Sequence, residues 1–570
     1  MKRLIPVLIA VVLILVIGGY GAWSVYEEKY SYSKEEADQM AYFHLEDTEQ
    51  VALVLDRTIL EEKGLKQGDH TYFTHEFVTR YFVPFRFYIN KEENIVRYTL
   101  PDRVLELTIG EPSYRDGDQV VSTDYVPAFY RGDVLYFAAD FVRLFKAFDM
   151  AYYDAPSRLV MTTEKAVGNE IKTALFTKDT AVRVRGGVKS EILTKVSKDD
   201  RVVILESLEN WSKVATADGF QGYVENKQLT EMTTVEEALQ DPTSIYGDLE
   251  FTSQKRDHKI VMGWQLQEGG YSGIDYLQEL TGKTQGLNVI SPTWFYLADN
   301  EGNVYSRAAA DYVEAAHKRG LEVWALVDDF SANVDDGEIF SSTQRRKYVI
   351  DQLMSKVDET GLDGLNIDFE KVAESAGPHF IQFIRELSIE CRQRGVVLSI
   401  DNYPPVGGRI WYYWTEQGIF ADYVVIMGYD EHYAGSREAG SVASISFVEQ
   451  GITDMAKYIP ASKLINGVPF YSRVWKTKGT ELTSDALPLT DLQVFLAKNN
   501  IALTWEEETC QNYGELTSNG TFYQVWVEDA ESISAKLSVM DNHGVAGVSC
   551  WRLGMETADV WNAIGAYAQR

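Results

Sequence analysis

Cysteine is scarce in this chain: three in 570 residues, Cys391, Cys510 and Cys550. They have neither metal-ligand spacing nor the density of a disulfide framework. Cys391 falls in a helical stretch and Cys550 in an apolar strand, so both read as buried thiols. Basic charge is also short, with 54 Lys and Arg against 85 Asp and Glu, a formal charge of −31. That balance argues against a nucleic-acid partner, which needs clustered cations. It suits a solvated acidic surface on an ectodomain. With 45% hydrophobic and 24% charged residues the composition is globular rather than disordered. The length suggests two to four domains.

One long uncharged run, Leu4–Trp23, follows Lys2 and Arg3. Such a run spans a bilayer as a helix, and the two cations place its start in the cytoplasm. A cleaved signal peptide is the rival, since Gly18, Gly19, Gly21 and Ala22 are small enough for processing. The length of the apolar core favours an uncleaved anchor over residues 1–25, with everything after it outside; cleavage would give a secreted protein.

Residues 26–45 read as a polar tether. From 46 to 166 short alternating strands follow, with a helical stretch over Ala138–Phe148. This part resembles the amino-terminal domain of copper amine oxidases, also a stalk on bacterial surface proteins. The resemblance rests on Val-Pro-Phe-Arg at 83–86 and Gly-Asp-Val-Leu-Tyr-Phe at 132–137. It implies a spacer or docking role and no copper site. Residues 171–230 alternate strands with turns. With Ala181–Arg185, Asp200-Arg201-Val202-Val203, Trp211 and Gly222-Tyr223-Val224, they are similar to a bacterial Src-homology-3-like domain. That likeness implies binding of cell-wall peptide or packing on a catalytic neighbour. Trp211 reads as core. An acidic linker over 231–256 follows.

Residues 257–570 carry a strand–helix rhythm. The apolar stretches Lys259–Trp264, Leu287–Ser291, Glu322–Val327, Leu365–Phe369, Val397–Asp401, Tyr423–Tyr429, Leu464–Val468 and Val545–Trp551 alternate with helical segments. Ser341–Gly361, for example, carries Val349, Leu353 and Val357 on one stripe and stops at glycine. The rhythm predicts a (β/α)8 TIM barrel with its site at the carboxyl ends of the strands. The span 476–540 is too long for a loop and reads as a small α+β insertion walling one side of the cleft. The fold class is therefore multidomain. The barrel follows an α+β stalk domain, a small all-β barrel domain and an amino-terminal transmembrane helix.

The most informative positions are 361–370. As a strand they put Asn366, Asp368 and Glu370 on one face and Leu365, Ile367 and Phe369 on the other. Two carboxylates on one face of an apolar strand push their pKa values apart, which can leave one a proton donor near neutrality. Asp363-Gly-Leu-Asn366-Ile-Asp368-Phe-Glu370 resembles the signature of glycoside hydrolase family 18, Asp-Gly-x-Asp-x-Asp-x-Glu. Met427-Gly428-Tyr429-Asp430 resembles the family's Met-x-Tyr-Asp strand; Tyr471, Arg473 and Trp551 resemble its late-strand residues. The likeness covers about the last 310 residues.

The resemblance implies a retaining hydrolase in which the substrate's own acetamido group attacks. In that scheme Glu370 is the general acid, Asp368 orients the amide and Tyr429 hydrogen-bonds it. Asn366, Met427, Asp430, Tyr471, Arg473 and Trp551 bind the sugar. No cofactor and no metal are implied, and the partner is an N-acetylated polysaccharide. The family's middle Asp is Asn366 here, which either keeps Asp368 more steadily ionised or slows turnover. That departure, and the run Tyr429–Ser436 followed by Gly440–Ser444, resemble the peptidoglycan-active and spore-cortex branch rather than chitinases. A chitinase, a non-catalytic glycan-binding protein and a docking scaffold are the alternatives. Bland readings stand beside these: a structural ion network at strand four, core roles for Tyr429, Tyr471 and Trp551, and a polar loop residue at His432. Trp411-Tyr412-Tyr413-Trp414 divides evenly between a sugar-stacking platform and helix-to-barrel packing.

Overall fold

The computed structural model describes residues 4–83, 86–247, 249–269, 272–405 and 408–570; Lys2, Arg3 and the Pro84-Phe85 centre of the stalk motif lie outside the described residues. A helix runs over Leu4–Tyr30. Its Ile5–Tyr30 stretch is long and apolar enough to cross a membrane, with none of its most apolar window buried against the rest of the protein.

Beyond it the chain divides into two compact units, one drawn mainly from residues 1–249 and the other from Glu250–Arg570 with the short segments 90–93 and 99–104. The first unit contains a seven-stranded sheet that runs from Phe148–Tyr153 at one edge to Ala128–Arg131 at the other. The helix expected over 138–148 is a short one, Ala139–Arg143, burying Phe141. A second seven-stranded sheet holds the segment expected as an all-β domain. Its edge strand, Thr233–Glu236, pairs antiparallel with Glu170–Leu175, so the start of the expected linker is sheet. The core here is Val182, Val202, Val214 and Val224 among others. Trp211 is half-buried and outside that cluster. Strand alternation turns Ser212 and Val214 inward and Trp211 to the opposite face.

The second unit is a barrel of parallel strands: β1 (Ile260–Gln265), β2 (Val289–Leu297), β3 (Glu322–Asp328), β4 (Gly364–Asp368), β5 (Val397–Asn402), β6 (Tyr423–Ile426), β7 (Leu464–Pro469) and β8 (Gly547–Trp551). Each pairs with the next, and β1 pairs with both β2 and β8, which closes the ring. The helix Thr343–Thr360 shows why the sequence folds this way. Ser342 caps its start through the Arg345 N–H, Val349, Leu353 and Val357 are buried, and Gly361 ends it at φ 75°.

After β7 the chain leaves the barrel to form a five-stranded antiparallel sheet between Tyr471 and Val527, with the helix Leu489–Asn499. The insertion thus starts earlier and ends sooner than 476–540. Ala530–His543 is a barrel helix, opened by an Asp529/Ser532 capping box and closed by Gly544 at φ 65°. Glu528, at the junction, accepts hydrogen bonds from Gln511 Nε2 (2.7 Å), Ser532 Oγ (2.7 Å) and Lys536 Nζ (3.0 Å), with both charges fully buried. Removing one partner strands the other charge. Lys536→Met should therefore lower the unfolding free energy of the barrel unit by about 3–5 kcal/mol, read by chemical denaturation. A Glu528→Gln/Lys536→Met double variant should lose much less.

Candidate active site

Alternation along β4 turns Asn366 and Asp368 into the barrel while Leu365 and Ile367 pack outward against the helices; all four are buried. Asn366 is saturated. Its Nδ2 donates to Asp401 Oδ1 (2.7 Å) and Ser399 Oγ (3.0 Å), and its Oδ1 accepts from Trp264 Nε1 (2.9 Å) and Ser291 Oγ (3.3 Å). Two donors and two lone pairs are all an amide has. None is left for Asp368, so the side chain that Asn366 steadies directly is Asp401.

Glu370 lies just past β4. Its N–H and that of Lys371 donate to the two oxygens of the buried Asp329 (3.2 and 2.9 Å). The Tyr403 hydroxyl donates to Glu370 Oε2, and the Arg409 guanidinium lies 4.4 Å from the Tyr403 ring centre. Burial pushes the Glu370 carboxyl above its ordinary range, opposed by the Tyr403 hydrogen bond and reinforced by Asp329 and Asp430. Asp368 is driven up more strongly, by burial first and then by Asp401 and Glu370.

On the opposite side β6 ends at Ile426, three residues before the end expected. Met427–Asp430 is a tight turn in which Gly428 N donates to the Ile426 carbonyl and Tyr429 N to the Met427 carbonyl, both at 2.8 Å. Tyr429 therefore reaches the site from a turn rather than from a shared strand face. The room for its ring comes from β7, where a Cβ at Gly467 would sit 2.9 Å from Tyr429 Cε1. Asp430 takes φ 57° and accepts from the Tyr471 hydroxyl at 2.6 Å. Trp551 meets Trp264 edge-on at 5.8 Å, and Trp264 meets Tyr429 likewise at 6.5 Å.

Together Asp368, Glu370, Tyr429, Asp430, Met427 and Trp551 line one cavity of about 180 Å³. Asn366 lies beneath it. Tyr471 touches it through Asp430. Arg473 is not among the lining residues; its guanidinium donates to Ser484 Oγ at 3.1 Å inside the inserted sheet. The aromatic cluster before β6 packs: Trp411 Nε1 donates to the Val372 carbonyl, Tyr412 Oη to the Phe369 carbonyl and Trp414 Nε1 to Asn402 Oδ1. His432 Nδ1 bonds the Ser441 carbonyl (2.8 Å).

Sequence reasoning missed Asp401, Tyr403, Trp264 and Phe330, which line the same cavity, and Asp329, which holds the Glu370 backbone. The signal was present for most of them. Asp401 and Tyr403 stand at the carboxyl end of an expected strand, as do Trp264 and Asp329, where barrel sites form.

Buried acids beside a cavity walled by Trp264 and Trp551 are suited to proton transfer, and sequence comparison adds a family. Residues 324–556, from β3 through β8, match the family described as "Glycosyl hydrolases family 18". The carboxy-terminal unit of this chain is a glycoside hydrolase family 18 domain. Among curated proteins it is similar to the uncharacterized glycosylase YvbX of Bacillus subtilis, 25% identical over 49% of this chain and 84% of that protein. It is also similar to the cortical fragment-lytic enzyme of Bacillus anthracis, 24% identical over 41% of this chain and 56% of that protein. A mammalian relative is the di-N-acetylchitobiase of Mus musculus, 22% identical over 44% and 78%. Beyond YvbX, the match spans about half the length of the bacterial relatives.

The Gly467–Tyr429 contact gives a direct check. Gly467→Ala should displace the Tyr429 ring and destabilise the barrel unit by about 1–3 kcal/mol, measured by denaturation. Gly467→Ala combined with Tyr429→Phe should not recover the loss, because the clash is with the ring and not the hydroxyl.

Proposed function

We propose that this chain is an exported, membrane-tethered retaining glycosidase that cleaves β-1,4 bonds at N-acetylglucosamine in peptidoglycan or a related glycan. The observation that carries the reading is the convergence of Glu370, Asp368 and Tyr429 on one cavity. Glu370, held up by burial and reached by the Tyr403 hydroxyl, is suited to protonate the glycosidic oxygen. Asp368 would receive the N–H of the substrate's acetamido group, whose carbonyl oxygen attacks the anomeric carbon and expels the protonated leaving group. Water then opens the oxazolinium with net retention. Tyr429 would donate to the acetamido oxygen, Trp551 would form the apolar floor under the sugar, and Asp430, held by Tyr471, would bind its hydroxyls. The Leu4–Tyr30 helix supports tethering, with the catalytic unit outside.

Peptidoglycan is favoured by the cortical fragment-lytic relatives. Chitin oligomers are the second reading, favoured by the chitobiase relative. The soluble part, residues 26–570, should release reducing ends from purified peptidoglycan. Glu370→Gln should lower release by at least about 10²-fold while binding persists. Cleavage of chitin oligomers alone would select the second reading. Binding without release by the unmodified protein would make this a glycan-binding protein, and equal release by both forms would remove Glu370 as the acid.

Tyr403→Phe tests the acid through pH. The Tyr403 hydrogen bond favours the ionised carboxylate, so its removal raises the Glu370 pKa further. The acid must be protonated to act. The alkaline limb of the kcat/KM profile should therefore move to higher pH in Tyr403→Phe, and an unmoved or lowered limb would refute the coupling.

A further inference from the structure

We propose that Asp401 and Asp368 form a buried pair sharing one proton, which passes to Asp401 as the substrate's acetamido group meets Asp368. The inference rests on the reading of Asp368 given above and adds a residue to it. The two side chains come from adjacent strands. The β4–β5 register pairs Asn366 with Ser399 and Ile367 with Ile400, and its next step sets Asp368 beside Asp401. Neighbouring strands lie about 4.8 Å apart and both side chains point into the barrel. Each carboxyl is buried, at 6% and 2% exposure.

Their hydrogen bonds place the proton between them. Asp401 Oδ1 is fixed as an acceptor by Asn366 Nδ2. Asp401 Oδ2 and Asp368 Oδ1 are buried with no hydrogen-bond partner among the described residues. Two orphan oxygens on two buried anions carry a heavy desolvation and repulsion cost. A single proton held between Asp401 Oδ2 and Asp368 Oδ1 satisfies both atoms and leaves one negative charge.

The groups around the pair give it no other counter-charge. Asp401 is faced by Glu370 just past β4 and by Tyr429 after β6; Asp328, at the end of β3, and Asp329, just past it, face Asp368. Among the described residues neither acid has a cationic partner, since Arg409 lies over the Tyr403 ring. Burial and the neighbouring acids hold both carboxyls above their usual range. Asn366 itself cannot hold a proton in this way. The ionisable partner that the motif carries at that position is supplied here by the next strand. During turnover the acetamido N–H and the cationic oxazolinium draw the negative charge to Asp368, and the shared proton passes to Asp401 Oδ2.

An asparagine at 401 can copy the protonated acid: its oxygen accepts from Asn366 and its amide donates to Asp368. Asp401→Ala should therefore lower kcat about 10²-fold with KM little changed, and Asp401→Asn should recover most of that loss. The second readout needs no activity. Between the ordinary carboxyl pKa of about 4 and the raised value, the folded pair binds one proton that the unfolded chain releases. That proton contributes about tenfold per pH unit to the rise of the unfolding constant with pH, on top of the share from Asp328, Asp336, Glu370 and Glu528, and Asp401→Asn should remove this one-proton part of the slope. Asparagine as damaging as alanine, or an unchanged slope, would overturn the shared proton. A protein that turns over no glycan but loses that part of the slope in Asp401→Asn would refute the glycosidase reading and leave the pair standing.

Discussion

A single buried amide organises the barrel's chemistry. Asn366 reaches Trp264 on β1, Ser291 on β2 and Ser399 and Asp401 on β5, so one side chain ties four strands at the level of the cleft floor. A buried polar group is costly unless all its bonds are made, and here they are. The same network aims Asp401 and fixes the Trp264 indole, against which Trp551 and Tyr429 pack edge-on. Loss of that amide would disturb both an acid and the aromatic wall.

Above this floor, environment separates acids that are chemically alike. Asp329 is buried too, yet both its oxygens receive backbone N–H groups. Asp368 has no such donors and is surrounded by further carboxyls. Glu370 lies between, with one phenolic donor and partial burial. Asp336, the first residue of the short helix Asp336–Ser341 after β3, is pushed up to about 8 by burial and by Asp329.

Much of this was legible in the sequence where one residue's neighbours along the chain decide its setting. The eight barrel strands, the helix ending at Gly361 and the inward face of β4 follow from local periodicity and capping. The family domain was legible from its motifs. What escaped depends on cross-strand register. Nothing in Leu-Ser-Ile-Asp-Asn-Tyr says that its Asp will stand beside Asp368 or that its Tyr will reach Glu370. The turn after β6 escaped for a different reason: Met-Gly-Tyr-Asp has strand-like alternation, and only the packing of Tyr429 into the space at Gly467 shows that the pairing has stopped. Trp211 was misplaced because a large ring looks like core until the strand's phase is known.

The grip of Asp329 on two consecutive amides has a mechanical consequence. The peptide carrying Glu370 is anchored to the neighbouring strand, so the acid turns about a fixed pivot and its reach is set by side-chain length alone. A carboxyl shortened by one carbon–carbon bond has no backbone slack with which to recover the lost distance. The position of the carboxyl at residue 370 is thus written into the backbone bonds at its base.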